Sequence, residues 1–332
     1  MRKKVILLSL LILISAVLAA CLLNTKDYKR INKIASDRVR FYYIHEEMRD
    51  DGYSSQYLMA YTYDSEVVPL LKLKKASYLK EVHKVDNNIY LFNDMKIFYH
   101  DEKEDVLERS ILKFNCNNGE INLNKKIGND EGNYYFSEKT CDIKEVSKLA
   151  GNKIKSFLEY DKEIIVQYGY NTISRLGEGQ NEIQNIDLEE YFMIYKIKRF
   201  SDKIVVVGID HEHNVLIELL DLSLKTVDKA LFEQYENIEI FIGDQRLYGI
   251  GFIKNQPNQL LLIDNELKYE VLDAKFPSET LYYSEKEKEV IYYDSNKGSY
   301  VFLDGEGNLL VTENVTITDK RYNFPNGRLY ID

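Results

Sequence analysis

The densest group of possible metal ligands is a run of five polar residues, Asp210, His211, Glu212, His213 and Asn214. On an extended strand His211 and His213 would project to the same side, as a divalent metal requires. The run separates two apolar stretches, however, where a hairpin turn is expected, and a metal site would need further ligands from a neighbouring turn. We therefore predict a solvated turn, with Asp210, His211 and His213 as weak metal candidates, and no metal or other cofactor.

The catalytic motifs in the sequence are incomplete. Ser77 and Lys80 have the Ser-x-x-Lys spacing of penicillin-binding enzymes, but the companion motifs lack the Asn and the Gly that they need. The chain has no Gly-x-Ser-x-Gly elbow, and the stretch that begins at His45 lacks the second His of a zincin helix. The sequence leaves open whether the protein is an enzyme, and it favours a protein without catalysis.

Two cysteines in the body of the chain, Cys116 and Cys141, leave two alternatives open. In an oxidising compartment they would close a short loop as a disulfide, for which the chain-entropy treatment gives about 3 kcal/mol. The other alternative is two separate thiols. Metal binding by two cysteines with no nearby His is less favoured than either.

Tyrosine is the commonest aromatic residue, with 27 in the chain. Tyr57, Tyr61 and Tyr63 alternate along residues 56–64, so one face of that strand would carry a ladder of tyrosines. A flat ring with a polar tip suits sugar rings and peptides, and these three residues are the candidate binding surface. The alternative is that most tyrosines pack between sheets in the interior.

The elements that must position these residues are short β-rich runs separated by polar turns. Apolar runs marked by Ile164, Ile204, Leu247, Val290 and Leu329 follow one another at intervals of 39 to 43 residues. A period of about 40 to 45 residues built from short strands is typical of propeller blades. A ring of blades would also explain why the runs are continuously apolar, because neighbouring blades cover each sheet on both faces.

We predict an all-β fold, a β-propeller of six to seven blades with about four antiparallel strands each, over residues 38–332. The longer interval from Ile89 to Ile164 leaves room for one or two units, which sets that range. Residues 39–44 open the periodic region and residues 327–332 close it. We expect both ends in one blade, which would latch the ring and protect a terminal edge.

Other secondary structure is less favoured by the pattern. A pair of β-sandwiches is the alternative fold, but it would show strands roughly every 8 to 12 residues without the longer period. Residues 142–151 and 180–195 are the candidates for short helices, the first with a capping Asp and a terminal Gly.

Tyrosine pairs recur in the blade-like units, at Tyr282 and Tyr283 and again at Tyr292 and Tyr293. These units resemble the degenerate repeats of bacterial extracytoplasmic β-propeller lipoproteins related to the low-density-lipoprotein-receptor type of propeller. The resemblance covers most of residues 38–332. The Tyr-Trp-Thr-Asp signature of that type is absent and the chain has no Trp, so the resemblance implies the fold and no active site.

The first residues have the layout of a secretory signal, in which a basic start at residues 2–4 precedes an apolar run at residues 5–17. The next four residues are Leu18, Ala19, Ala20 and Cys21. This ending resembles the lipobox of bacterial lipoproteins, which implies a diacylglyceryl group on Cys21 and stable membrane anchoring. We expect a signal peptide over residues 1–20 and a lipidated Cys21 with a polar tether over residues 21–37.

The alternative for this segment is an uncleaved signal-anchor helix, because residues 5–25 carry no charge and are just long enough to span a bilayer. Both alternatives place the rest of the chain on the extracytoplasmic side of the cell membrane. A net charge of −10 argues against nucleic acid as a partner, since phosphate binding needs a basic face.

Two functions from different classes are compatible with these features. The favoured one is a cell-envelope lipoprotein, held at the membrane by its N-terminal lipid, whose propeller binds or scaffolds an envelope protein, peptide or glycan without catalysis. The alternative is an extracytoplasmic propeller enzyme, a hydrolase or lyase acting on polysaccharide or phosphate esters, with carboxylates converging on the axial channel.

Overall fold

The computed structural model describes residues 28–48, 54–73, 77–97, 106–127, 133–146, 154–160, 162–177, 179, 181–318, 320–322, 327 and 329–331. The expected signal peptide over residues 1–20 and the expected lipidation site at Cys21 lie outside these residues. The described part is almost entirely β-strand, and its helical parts are two 3₁₀ turns, Ser36–Arg38 and Lys320–Tyr322. No helix in these ranges has the length and apolar character of a membrane span.

Strands follow one another from the first described residue to the last. In chain order they are β1 (Tyr28–Arg30), β2 (Val39–Met48), β3 (Ser54–Thr62), β4 (Glu66–Leu73), β5 (Ser77–Val85), β6 (Asn88–Ile97), β7 (Val106–Asn115), β8 (Ile121–Ile127), β9 (Tyr134–Ser137), β10 (Asp142–Glu145), β11 (Ile154–Tyr160), β12 (Glu163–Tyr168), β13 (Thr172–Leu176), β14 (Glu182–Asp187), β15 (Tyr191–Phe200), β16 (Lys203–Asp210), β17 (Val215–Asp221), β18 (Thr226–Phe232), β19 (Asn237–Ile242), β20 (Leu247–Phe252), β21 (Gln259–Ile263), β22 (Tyr269–Asp273), β23 (Tyr282–Ser284), β24 (Glu289–Asp294), β25 (Ser299–Leu303), β26 (Leu309–Asn314), β27 (Thr316–Ile317) and β28 (Leu329–Ile331).

Six sheets of four or more strands form the blades of a β-propeller. Blade 1 has the order β28-β2-β3-β4 from the axis outward, and both β1 and β27 pair with the outer edge of β4. Blades 2 to 6 are β5–β8, β11–β14, β15–β18, β19–β22 and β23–β26. The innermost strands of neighbouring blades contact one another, as β15 does with β11 and β19. The predicted all-β propeller is confirmed, with six blades.

Both ends of the described chain meet in blade 1. Strand β28 pairs with β2 in antiparallel register, with Ile44 opposite Leu329. At the outer edge β27 runs parallel to β4, and the Thr316 amide donates to the Ser65 carbonyl oxygen at 2.8 Å. The ring is therefore closed at its inner strands, as predicted from the chain ends, and β27 adds a second contact at the outer edge.

The hydrophobic core lies between the blades. In β16 the residues Ile204, Val205, Val206 and Val207 are all buried, because Ile204 and Val206 pack towards blade 3 while Val205 and Val207 pack towards blade 5. At about 25 cal/mol per Å² of apolar surface removed from water, burial on both faces is the main force that holds the ring together. It also explains why these runs are continuous rather than alternating.

A two-stranded sheet, β9 with β10, is packed between blades 2 and 3. Tyr134, Phe136 and Ile143 join the hydrophobic cluster of blade 2, while Tyr135 and Val146 join that of blade 3. This small sheet accounts for the longer repeat interval in the sequence, because it fills space between two blades without forming a complete one.

The two predictions of a short helix are wrong for the residues that the structure describes. Strand β10 occupies the start of residues 142–151, and β14 and β15 occupy most of residues 180–195. Each of these strands pairs with its neighbour in a sheet and covers part of its surface against a blade. Strand pairing and burial therefore outweigh the weak local preference for helix.

The segment expected to be a polar tether is docked on the propeller from its first described residue. Strand β1 extends blade 1, and the Tyr28 hydroxyl donates to the Ile121 carbonyl oxygen of blade 2 at 3.2 Å. The Asn32 side-chain amide donates to the Pro69 carbonyl oxygen at 2.9 Å. Hydrogen bonds to blades 1 and 2 therefore hold this segment against the propeller.

Candidate functional site

The tyrosines expected to form a binding surface lie mostly inside the molecule. Tyr57 and Tyr61 are 2% and 0% exposed, whereas Tyr63, just after the end of β3, is 47% exposed. Tyr61 packs on Tyr300 of blade 6, with ring centroids 4.6 Å apart. The prediction of a binding surface is therefore wrong for Tyr57 and Tyr61, because blade 6 covers these two tyrosines and buries them in the core.

A set of charged and aromatic residues beside this ladder joins blade 1 to blade 6. We call it the closure cluster: Arg40, Tyr61, Glu289, Phe302 and Glu313. The Arg40 guanidinium lies 2.8 Å from a carboxylate oxygen of Glu289, 2.8 Å from one of Glu313, and 3.7 Å from the centroid of the Phe302 ring. The Tyr61 hydroxyl donates to the second Glu313 oxygen at 2.8 Å. Because its charges are paired and mostly shielded from water, this cluster fastens the ring and offers no open site.

Tyr63 lies on the surface near the same junction. Its hydroxyl donates to a Glu287 carboxylate oxygen at 3.0 Å and accepts from the Lys286 ammonium at 2.5 Å. Hydrogen bonds from Lys286 and Tyr63 lower the pKa of Glu287, and hydrogen bonds to Glu287 and Tyr63 raise the pKa of Lys286. Tyr63 is thus the exposed member of the expected surface, in a small polar network.

The histidine-rich run forms the hairpin turn between β16 and β17. One Asp210 carboxylate oxygen accepts the backbone N–H groups of Glu212 at 2.9 Å and Asn214 at 2.8 Å. The other oxygen accepts the Asn214 side-chain amide at 3.1 Å. Desolvation raises the pKa of Asp210, but hydrogen bonds from Asn214 and Glu212 outweigh it and lower the pKa overall. The carboxylate is therefore occupied with holding the turn.

The two histidines of this turn contact other groups, and both rings lie against Phe192. The His211 Nε2 donates to the Glu189 carbonyl oxygen at 2.9 Å, and His213 takes the positive φ of 67° at the turn. Across the part of the chain that the structure describes, no group of three or more His, Cys, Asp or Glu side chains is arranged to hold a metal ion. The residues form the polar turn that the sequence favoured.

Cys116 and Cys141 belong to different hydrophobic clusters. Cys116 is buried between blades 1 and 2, where burial raises the pKa of its thiol. Cys141 is partly buried between blade 2 and the β9–β10 sheet. The structure does not join these two residues by a disulfide, so of the two alternatives it shows separate thiols.

A polar groove of about 550 Å³ opens between blades 5 and 6, and we call it the blade 5/6 groove. Its walls come from the turns that join β19 to β20, β21 to β22, β23 to β24 and β25 to β26. Those turns end on the same face because the two neighbouring blades share one strand order. The residues that matter most for its chemistry are Asp244, Arg246, Asp264, Tyr283, Lys288 and Glu306.

Ion pairs cross the groove from one blade to the other. Arg246 of blade 5 lies 2.8 Å from a Glu306 carboxylate oxygen of blade 6, and the Lys288 ammonium lies 3.5 Å from Asp244. The Tyr248 hydroxyl donates to a backbone carbonyl oxygen of the β25–β26 turn at 2.6 Å. Burial raises the pKa of Tyr248, so this phenol stays protonated. The exposed pairs contribute little to stability and are able to exchange partners with a ligand.

A second cavity, of about 360 Å³, lies at the inner strands of blades 4 and 5, and we call it the lysine cavity. Strand β15 contributes Tyr195, Lys196 and Lys198, β16 contributes Val207, and β19 contributes residues 237–240. It is smaller and less polar in composition than the blade 5/6 groove. Sequence reasoning missed it, because it depends on how two blades meet.

Lys198 is the central polar group of the lysine cavity. Its ammonium donates to the Ile240 carbonyl oxygen and lies 5.1 Å from the centroid of the Phe241 ring. Burial lowers the pKa of Lys198 to about 7, Lys196 acts in the same direction, and Glu239 opposes both. Enclosed amines that titrate near neutral pH are uncommon and often functional.

A β-bulge shapes the wall that carries this lysine. Ile194 lies opposite Gly208 while Lys196 lies opposite Val207, so Tyr195 is an extra residue on β15. A Cβ at Gly208 would collide with a backbone carbonyl oxygen of β15, so the close approach of the strands requires glycine there. Bulges commonly re-aim side chains beside functional sites, and this one sits at the cavity.

No known protein family matches the chain, and no curated protein matches it. Among solved structures, the periplasmic gluconolactonase PpgL of Pseudomonas aeruginosa is similar with a TM-score of 0.55 at 8% identity, over 88% of this chain and 99% of that one. The dihydro-heme d1 dehydrogenase NirN in complex with DHE is similar with a TM-score of 0.47 at 8% identity, over 83% of this chain and 66% of that one. The chain therefore spans just under two thirds of the length of NirN.

The nidogen/laminin complex gives a TM-score of 0.42 at 10% identity, over 82% of this chain and 93% of that one. These similar structures include enzymes as well as a protein complex. At 8% identity the similarity to PpgL shows the fold alone.

Proposed function

We propose that the protein is a binding propeller of the cell envelope, anchored by a lipid on Cys21, which holds a polar partner without catalysis. The observation that carries the proposal is the blade 5/6 groove, where side chains from four turns present donors and acceptors to solvent. A partner that offers many hydroxyl or amide groups, such as a glycan or an exposed protein segment, suits such a lining.

The composition of the groove favours binding over catalysis. Its described lining residues include no Ser, Cys or His, so the usual nucleophile and base pairing has no candidates there. Three carboxylates, Asp244, Asp264 and Glu306, support a hydrolase acting on polysaccharide as the second candidate, since paired carboxylates serve glycoside cleavage.

Titration of the purified extracytoplasmic domain with soluble envelope glycan fragments, and cross-linking to envelope proteins, tests the groove. We expect Glu306→Gln to weaken binding at least tenfold, because it breaks the exchangeable pair with Arg246. The matched control is Glu190→Gln, an exposed acid paired with Lys229 on blade 4, which should bind normally. If Glu306→Gln and Glu190→Gln bound the partner with equal affinity, the assignment of the groove as the binding site would be contradicted. Release of cleaved glycan products would support the hydrolase function in place of binding without catalysis.

Lipid anchoring is tested separately with Cys21→Ala in the full chain. We expect the variant to remain unprocessed and to lose incorporation of labelled fatty acid, because the thiol is the acceptor that lipidation needs. Normal processing and normal labelling of the variant would overturn the anchor.

A further inference from the structure

We propose that the lysine cavity is a second binding site, which takes a small organic carboxylate with an apolar body and pairs its charged end with Lys198. This site is separate from the blade 5/6 groove, since it lies at the inner strands of blades 4 and 5 and has its own lining. The proposal for this site therefore does not depend on the proposed binding of a partner in the groove.

The shape and the walls of the cavity select the body of the ligand. A volume of about 360 Å³ lies near the lower end of the range of small-molecule sites, roughly 300–1,000 Å³. Val207, Ile238 and Ile240 supply aliphatic wall, and Tyr195 supplies a ring. An acyl chain or a small ring would bury apolar surface against these residues.

The charges in the cavity select the end group. The Lys198 ammonium has three N–H donors, of which Ile240 accepts one, and no carboxylate among the described residues forms an ion pair with it. A partly buried charge without a counter-ion is unfavourable, and a ligand carboxylate would supply that counter-ion. Lys196 adds a second positive charge, while Glu239 disfavours a highly charged anion. A monocarboxylate fits this balance best.

Binding of such an anion should be linked to protonation of Lys198. The pKa of Lys198 is lowered to about 7, and a bound carboxylate favours the charged amine, so binding takes up a proton above that pH. The titratable groups that face it are Lys196 and Tyr195 on β15 and Glu239 on β19, while β16 contributes Val207 to the cavity. We expect affinity to be level below about pH 7 and to fall about tenfold per pH unit above it.

The test uses three probes with the same apolar body: hexanoate, hexan-1-ol and hexylammonium, titrated calorimetrically into the extracytoplasmic domain at pH 6 to 9. We expect hexanoate to bind at least tenfold tighter than hexan-1-ol at pH 6, hexylammonium to bind weakest, and the hexanoate preference to disappear by pH 9. The absence of hexanoate binding, or equal binding of hexanoate and hexan-1-ol at pH 6, overturns the proposal.

Variants distinguish specific binding at Lys198 from nonspecific binding of hexanoate elsewhere on the protein. Lys198→Met should lose the preference for hexanoate, and Lys198→Arg should keep it but lose the pH dependence, because a guanidinium stays charged. The matched control Lys225→Met removes an exposed lysine of blade 4, so it should bind hexanoate like the parent protein. Unchanged hexanoate binding by folded Lys198→Met would contradict the role of this amine.

Discussion

The closure cluster and the lysine cavity are both junctions between neighbouring blades, and they treat charge in opposite ways. At the closure cluster Arg40 meets two carboxylates at 2.8 Å each and its guanidinium covers an aromatic ring. At the lysine cavity Lys198 meets a backbone carbonyl oxygen and leaves a cavity beside it. At the first junction the cation is paired with carboxylates, whereas the second contains a cavity and an amine without a carboxylate partner among the described residues.

Connectivity explains why the two junctions differ. Arg40 and Glu289 are 249 residues apart in the chain, so noncovalent contacts must keep β2–β4 of blade 1 against blade 6. Blades 4 and 5 are joined directly through residues 233–236, which limits how far they separate. The closure has to be stable, while the junction of blades 4 and 5 tolerates a cavity that is available for binding.

The largest effect expected from this comparison is at the closure cluster. Arg40→Met should lower the free energy of unfolding by about 2–4 kcal/mol, because Glu289 and Glu313 would remain poorly hydrated without their counter-charge. Urea denaturation followed by circular dichroism and tyrosine fluorescence measures the change, since the chain has no Trp.

The matched control is Arg38→Met, two residues away. Arg38 also pairs with two acids, Asp64 at 3.0 Å and Glu66 at 3.4 Å, but its side chain is half exposed. Exposed pairs contribute roughly 0–1 kcal/mol, so this variant should be close to the parent protein. Equal losses in the two variants would show that burial at the closure has no special role.

The fold was predictable from the sequence because its signal is repeated. Blades 3 to 6 contribute buried runs at intervals of 40 to 43 residues, and an error in any single run does not remove the period. The sequence predicted six to seven blades, and the structure reduces this range to six. The ambiguity arose because the β9–β10 sheet carries buried apolar residues typical of a blade, Tyr134, Tyr135 and Phe136, although it has two strands. A sequence pattern shows that a run is buried and does not show how many strands accompany it.

The sites were harder to predict, for a different physical reason. Alternation correctly placed Tyr57 and Tyr61 on one face of a strand, but which face another blade covers is decided by tertiary packing. Lys198 carries no local signal, because Lys196 and Lys198 lie in a stretch that has the composition of a solvated strand. Its enclosure depends on β19, about 40 residues later in the chain, and the intervals of a repeat do not specify such contacts.

The next largest effect concerns Lys198 and sharpens the contrast between paired and unpaired charge. Burial lowers the pKa of Lys198 from 10.5 to about 7 in the folded protein, so between these values the unfolded chain binds more protons. The contribution of Lys198 to the stability of the parent protein should therefore rise with pH across that window. The free energy of unfolding of Lys198→Met should exceed that of the parent by about 1–3 kcal/mol at pH 7, a value already reduced because solvent reaches the cavity. This difference in stability should shrink towards pH 10, where the unfolded chain also loses the proton of Lys198.

Urea titrations of both proteins at several pH values between 7 and 9.5 measure this difference, in which the other titrating groups cancel. Lys225→Met should follow the parent protein, since Lys225 is exposed. A constant difference between Lys198→Met and the parent would mean that packing of the new side chain, not removal of an enclosed charge, changes the stability.

The smallest effect returns to the closure cluster and asks whether its charges act as one network. Tyr61→Phe removes the hydroxyl that donates to Glu313 at 2.8 Å and keeps the ring against Tyr300, so we expect a loss of about 1–2 kcal/mol. In the Arg40→Met background Glu313 depends more on the remaining donors, Tyr61 and Ser65. The same substitution should therefore cost more there than in the parent protein, by at least about 0.5 kcal/mol in a double-mutant cycle. Additive losses would show that the hydroxyl and the guanidinium stabilise the junction independently, and the contrast with the lysine cavity would then rest on burial alone.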